Sequence, residues 1–413
     1  MTTDRLTALP VELLEHICAL VHAADPHLYL GRISSAFVPL ARQLVFRKVR
    51  TSGSRQLARL CDLVEGADGV GAAVKELVIY CGAEYWPDRE VELPATRFTA
   101  LLTRLSSLVH LSFNGAARLI EIFLQPETAK HCKKLEHLHV FDCFKYWSHP
   151  FEAARWTALR HCPQLYTLEI TAHRSDTGDV RSPSQLSVPE RIKSRFLWDV
   201  SLKGRLTGNP GVSDLLSMLP PCHSLTLTDR YILTWEGKPQ LADILRAVPS
   251  PKRLEALDVS GSDKTGRASD DILLRFSNLA DLALDDLAYD PASFSRLALP
   301  PALKSLTLYG HTTDLAARDI KPLLADPKRV PALESLTLDT IRVRDGDEFV
   351  AEEPVTGVPV VDWTDDFSFK DMQELVKIAR ERGVQFDGDA VWIVQDDNEW
   401  TQYESESDRD DGW

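Results

Sequence analysis

Between Val74 and Leu338 one pattern of apolar and polar positions keeps returning: apolar-x-x-apolar-x-apolar. It reads Val74-x-x-Leu77-x-Ile79, Leu108-x-x-Leu111-x-Phe113, Leu135-x-x-Leu138-x-Val140, Leu165-x-x-Leu168-x-Ile170 and Leu197-x-x-Val200-x-Leu202. It goes on as Cys222-x-x-Leu225-x-Leu227, Leu254-x-x-Leu257-x-Val259, Leu279-x-x-Leu282-x-Leu284, Leu303-x-x-Leu306-x-Leu308 and Leu333-x-x-Leu336-x-Leu338. The last two apolar positions of each unit alternate as in a short strand with one buried face. Between them run helical patterns, at Arg97–Leu105, Glu152–His161, Gln240–Val248 and Asp270–Phe276. The middle apolar positions lie 24 to 34 residues apart, a period that marks a stacked repeat. A strand–helix unit of this size cannot bury its own apolar face, so neighbours must stack. The expected fold class is α/β: a solenoid over residues 74–343, with a parallel concave sheet and outer helices.

Residues between the buried positions of each strand face the other way and form columns across the sheet. One reads Glu76, His110, His137, Thr167, Asp199, Ser224; the second Val78, Ser112, His139, Glu169, Ser201, Thr226; the third Tyr80, Asn114, Phe141, Thr171, Lys203, Thr228. Aromatics and histidines gather in the early repeats. Tyr80, His110, His137, His139 and Phe141 are therefore the candidate target-binding residues, against the plainer reading of a solvated sheet face. Arg55–Val64 is expected to be a linking helix within residues 51–73. Phe369–Arg382 carries Met372, Leu375, Val376 and Ala379 on one helical face, with Gly383 as a stop. With Val384-Gln385-Phe386 it is expected to cap the repeats within residues 368–394.

The first fifty residues are patterned differently. Pro10 suits the first turn of a helix, and Leu13, Ile17, Leu20 and Val21 share one helical face. After Asp25-Pro26, a second face runs through Ile33, Phe37, Leu40 and Leu44. The string Leu9-Pro10-x-Glu12-Leu13-Leu14-x-x-Ile17, then Ile33-Ser34-x-x-Phe37, then Leu40-Ala41-x-x-Leu44-x-Phe46 resembles an F-box. The later units resemble the degenerate leucine-rich repeats found in fungal-type F-box proteins, although the asparagine that usually follows the strand is mostly missing. Tryptophan, frequent in the second helical part of F-boxes, does not occur before Trp86.

The resemblance implies a small helical bundle at residues 1–50. It implies contact with a Skp-type adaptor through Leu9, Pro10, Leu13, Ile17, Leu30, Ile33, Leu40, Leu44 and Phe46. Through that adaptor the chain would reach a cullin scaffold and serve as the substrate receptor of a ubiquitin ligase in ubiquitin-dependent protein degradation. The alternative is an F-box and leucine-rich-repeat interaction scaffold acting outside the ligase. Neither reading requires a cofactor.

Charge narrows the partners. The net charge is −14, and residues 345–366 carry eight acidic and no basic side chains. Residues 395–413 add eight acidic side chains and one arginine. The two segments sum to −8 −7 = −15, so the remainder is close to neutral, which argues against nucleic acid. Residues 344–367 are expected to be a solvated acidic loop and 395–413 a disordered tail, or else a clamp for a basic partner. The segment from His173 to Arg195 carries Arg174, Arg181, Arg191, Lys193 and Arg195; it reads equally as a functional insertion or a disordered loop. No apolar run approaches the ~20 residues that span a bilayer, and Met1–Pro10 lacks a signal-peptide pattern. Seven scattered cysteines without a Cys-x-x-Cys pair suit reduced thiols. Together these favour a cytoplasmic or nuclear protein without membrane partners.

No Gly-x-Ser-x-Gly, phosphate-binding Gly-x-x-x-x-Gly-Lys or His-Glu-x-x-His occurs, so no enzyme activity is expected. The pairs Asp285-Asp286 and Asp365-Asp366 fall in expected turns. His137, His139 and Cys143 lack a closed metal-ligand spacing. Cys132 and Cys162 each stand three residues before a repeat's first leucine and read as positions in the stack.

Overall fold

The computed structural model describes residues 43–67, 69–80, 93–141, 151–172, 192, 197–204, 206, 210–229, 241–260, 270–285, 299–309, 316–339, 343–344, 360–361 and 369–388. They fall into two units, one ending at Leu197 and the other starting at Trp198. The first unit has five parallel strands: β1 (Lys48–Ser52), β2 (Glu76–Tyr80), β3 (His110–Asn114), β4 (His137–Phe141) and β5 (Thr167–Ala172). The second runs β6 (Asp199–Gly204), β7 (Ser224–Asp229), β8 (Ala256–Ser260), β9 (Asp281–Asp285), β10 (Ser305–Tyr309) and β11 (Ser335–Asp339). A two-residue antiparallel pair follows, β12 (Val343–Arg344) with β13 (Val360–Val361). The last strand, β14 (Gln385–Asp387), joins β11 in parallel.

All ten apolar triplets behave alike. The last two residues enter a strand and point into the core, the first lies just ahead of it, and every one of them is buried. Parallel strands in sequential order, with the described helices all on one side, make each unit a leucine-rich-repeat-like solenoid. The first leucine closes a tight turn onto the apolar residue three places earlier: Leu108 N–H onto Leu105, Leu135 onto Cys132, Leu165 onto Cys162, Leu279 onto Phe276 and Leu333 onto Val330. Two successive amides then share one carbonyl of the preceding repeat. The Val109 and His110 N–H groups both donate to Lys75 O, at 2.8 and 2.9 Å. Glu136 and His137 donate to Val109 O, and Tyr166 and Thr167 to Glu136 O. The second unit repeats the device from Trp198 O through His223, Glu255, Ala280 and Lys304.

On the other side of the core lie the helices. In the first unit these are α1 (Ser54–Gly66), α2 (Val70–Ala73), α3 (Ala95–Arg104), α4 (Ala117–Phe123), α5 (Pro126–Ala129) and α6 (Ala153–Trp156), the last continuing as a 3-10 turn over Thr157–His161. Phe98 of α3 meets Phe113 of β3 edge-on at 6.2 Å, and Phe113 meets Phe123 of α4 at 5.7 Å. The second unit has α7 (Pro210–Met218), α8 (Leu241–Arg246), α9 (Asp270–Leu273), α10 (Ala317–Ala325) and α11 (Phe369–Arg382). Met372, Leu375, Val376 and Ala379 of α11 are buried, and Gly383 takes φ +75° after it. Arginines of one repeat close the helix ends of the one before. Arg104 donates to Val64 O and Glu65 O, and Arg382 to Leu323 O and Leu324 O, reaching also Val330 O in the turn beyond α10. Orphan carbonyls at helix ends thus find partners inside the stack.

The first strand begins earlier than the apolar triplets suggest. β1 pairs along β2 from Lys48 opposite Glu76 to Ser52 opposite Tyr80, ahead of the Val74 unit. Its signal is Phe46-x-x-Val49-x-Thr51, with a threonine in the last core position; Thr51 is 3% exposed and its hydroxyl has no hydrogen-bond partner.

Two glycines separate tight from open packing. A methyl group at Gly71 would sit 2.6 Å from Arg104 O, whereas one at Gly66 would meet nothing within 4 Å. Gly71→Ala is expected to destabilise the first unit by about 1–3 kcal/mol. Gly66→Ala, in the last turn of α1, should be neutral or stabilising by roughly 0.5 kcal/mol. Urea unfolding midpoints of the two variants check this pair.

Candidate functional site

The parallel register lays out the face of the sheet opposite the core in rows. In the first unit the first row is Lys48, Glu76, His110, His137 and Thr167. The second is Arg50, Val78, Ser112, His139 and Glu169; the third is Ser52, Tyr80, Asn114, Phe141 and Thr171. Rows of this kind follow from alternation within a strand and in-register pairing between strands. Lys48, Arg50 and Ser52 join the rows because β1 exists; the columns read from the repeats began at Glu76. Two expected face residues are covered: Thr171 is 2% and Ser201 9% exposed. Asp285 ends β9 in the third row and is not in a turn.

The three histidines lie together. The His110 ring packs edge-on against His139 at 4.7 Å and tilts over His137 at 5.8 Å. His137 Nδ1 is 3.1 Å from Thr167 Oγ1, and its ring meets the Tyr166 edge at 6.1 Å. His139 Nδ1 stands 3.6 Å from Glu169 Oε2. Lys48 pairs with Glu76 at 2.5 Å on the other flank. In the third row, Tyr80 and Phe141 are each 38% exposed, two strands apart with Asn114 between them. The imidazole cluster thus has a carboxylate on either side and two solvent-facing rings along its edge. Aromatic rings ringed by hydrogen-bonding groups are the composition of a protein contact patch.

Burial lowers the pKa of His110, and the neighbouring His139 and His137 and the Lys48 ammonium push the same way against Glu76. At neutral pH the cluster therefore presents an uncharged His110 ring. Among the described residues, no group of three or more His, Cys, Asp or Glu side chains is placed to hold a metal ion.

In the second unit the same face differs in character. Its rows hold Asp199, Asp258, Asp281, Asp285, Asp339 and Asp387 among serines, threonines and alanines, with Lys203 the one cation in those strand positions. Tyr309 donates its phenol hydrogen to Asp258 Oδ1 at 2.6 Å, and burial together with Asp258 and Asp285 pushes its pKa upward.

Of the adaptor candidates, Leu44 and Phe46 are half-buried, with Leu44 in the helical residues 43–45 and Phe46 in the turn that follows, just ahead of β1. Leu9, Pro10, Leu13, Ile17, Leu30, Ile33 and Leu40 lie outside the described residues. Cys132 and Cys162 are buried in the stack; burial pushes the Cys132 thiol up to about 12, and Cys162 Sγ faces Ala129 O at 3.9 Å. Such thiols are poor nucleophiles.

No family model matches the chain, and no curated protein matches it. Among solved structures it is similar to the crystal structure of a TLR13-ssRNA13 complex, at 16% identity and a TM-score of 0.32. The match covers 67% of this chain and 44% of that one, so the chain spans less than half of that protein's length. The repeat assignment rests on the parallel ladder itself.

His110 supplies a pH test. Its folded-state pKa lies below the ordinary 6.5, so below 6.5 the unfolded chain takes a proton that the folded chain resists. The resulting cost to stability is absent well above pH 6.5 and grows as pH falls toward the folded value. Thermal melts from pH 7.5 to 5 should show His110→Asn losing less stability on acidification than the wild type.

Proposed function

We propose that this chain is a substrate receptor of a Skp–cullin–F-box ubiquitin ligase, in which an N-terminal F-box holds the adaptor and the repeats hold a target protein. The observation that carries the reading is the pattern from Leu9-Pro10 to Leu44-x-Phe46, which runs straight into the first strand of the repeat stack. Half-buried Leu44 and Phe46 stand beside Val45, which is 54% exposed, and together they offer an apolar end for a partner.

A ladder of rigid parallel strands suits the second half of the role. It fixes the spacing of side chains over a wide face, so a target can be gripped at several points without rearrangement. In the first unit, Tyr80, His110, His137, His139 and Phe141 supply the aromatic and hydrogen-bonding contacts for it. The chain itself performs no chemistry in this reading and needs no cofactor. It orients a target near a charged conjugating enzyme and so raises the effective concentration of the reacting groups. The protein works in the cytoplasm or nucleus. A scaffold acting outside the ligase would bind the same adaptor but give no cullin-dependent ubiquitin transfer.

Binding of purified Skp-type adaptor to the full chain tests the reading. The wild type is expected to bind, and Leu9→Ala/Pro10→Ala/Leu13→Ala to lose roughly 100-fold or more in affinity, since central apolar anchors dominate such contacts. Circular dichroism of the variant should match the wild type. A correctly folded wild type that binds no adaptor sinks the proposal.

A further inference from the structure

We propose that the face of the second unit opposite its core is a docking surface for an extended cationic polypeptide segment carrying arginine or lysine. The inference concerns the partner's chemistry and does not require the adaptor reading above.

Charge complementarity carries the choice of occupant. Among the described strand positions of this face, seven parallel strands hold six carboxylates, Asp199, Asp258, Asp281, Asp285, Asp339 and Asp387, against the single ammonium of Lys203. Such a face focuses a negative potential outward and attracts cations. The first unit is built otherwise, with Lys48, Arg50 and three histidines on its rows. The sign is therefore a property of this unit and is independent of the acidic segments 345–366 and 395–413.

Shape favours an extended peptide over a folded knob. Apart from the aspartates, most positions are Ser, Thr or Ala: Ser224, Thr226, Thr228, Ala283, Thr307 and Thr337. A backbone can lie close to side chains this small. Six strand spacings of about 4.8 Å give roughly 29 Å, the reach of about nine extended residues. A metal ion is a poor rival, since no group of three or more ligating side chains converges among the described residues.

Two further features point to a ligand. Ser201 on β6 is 9% exposed and faces away from buried Val200 and Leu202, yet its hydroxyl has no hydrogen-bond partner. A buried hydroxyl in that state is rare, and it leaves one hydrogen-bonding capacity of this face unused. At the same edge Trp198, 44% exposed, is stacked on His223 at 4.0 Å and 16°. His223 Nδ1 lies 3.2 Å from Glu255 Oε1, which steadies the ring beneath the indole. A fixed, solvent-facing indole beside carboxylates is the setting in which a guanidinium binds by cation–π contact. Tyr309, tied to Asp258, holds one carboxylate of the face in place.

The test uses the full chain and a fluorescent twelve-residue peptide of alternating arginine and serine, with alternating glutamate and serine as the comparator. The arginine peptide is expected to bind, to weaken at least tenfold between 50 and 300 mM salt, and to outcompete the comparator. Asp281→Asn/Asp285→Asn/Asp339→Asn should weaken it at least tenfold. Lys203→Gln should tighten it two- to fivefold, and Glu381→Gln on α11 should leave it unchanged. The Leu9→Ala/Pro10→Ala/Leu13→Ala variant should bind the peptide as the wild type does, which keeps this test separate from the adaptor test. Equal binding of both peptides, an unaffected triple asparagine variant of wild-type stability, or no binding by folded wild type would each overturn the proposal.

Discussion

The carbonyl that accepts two amides at the entrance to β2 through β5 and β7 through β11 sets the geometry of everything that follows. A peptide oxygen has two lone pairs, and in an ordinary ladder often only one is used. Here Lys75, Val109, Glu136, His223, Glu255, Ala280 and Lys304 each serve two N–H groups of the next repeat. The bond pair fixes where a strand starts and in what register, since one carbonyl cannot reach amides one residue further along. Leucines then stack on leucines and face residues on face residues. Irregular repeat lengths fall between the strands, away from this line.

That constraint explains how much could be read in advance. The ten triplets announce strands because their apolar positions are locally encoded, and α11 with its Gly383 stop is legible for the same reason. The rows Glu76–His110–His137 and Tyr80–Asn114–Phe141 follow from alternation and register alone. β1 was hidden by chemistry: Thr51 occupies a core position that leucine or isoleucine fills elsewhere, and the apolar residues before it read as the end of the preceding helical module. The covering of Thr171 and Ser201 was equally invisible, because burial of a face residue depends on what packs over it. Side-chain pairings such as Tyr309 with Asp258 or Trp198 with His223 are rotamer outcomes, and no periodicity encodes them.

The two units share one backbone plan and carry different surfaces on it. Because core and face residues alternate along each strand, the face can change while Leu-x-Leu stays put. Histidines and aromatic rings gather on the first unit, aspartates and small hydroxyl side chains on the second. Division of labour of this kind is open to any stacked repeat, since each unit contacts only its neighbours and a change in one row disturbs little beyond it.

The cysteines of the stack give the same architecture a chemical clock. Cys132 and Cys162 sit three residues ahead of the first leucine of their repeats and Cys222 fills that first position itself, all buried, and burial holds each thiol well above the usual range. An alkylating reagent can reach such a sulfur only while its own repeat is open. The rate at which each is modified therefore reads the opening of one rung independently of the next. A protein whose rungs come apart singly would show three different rates, and one that opens as a block would show a single rate for all three.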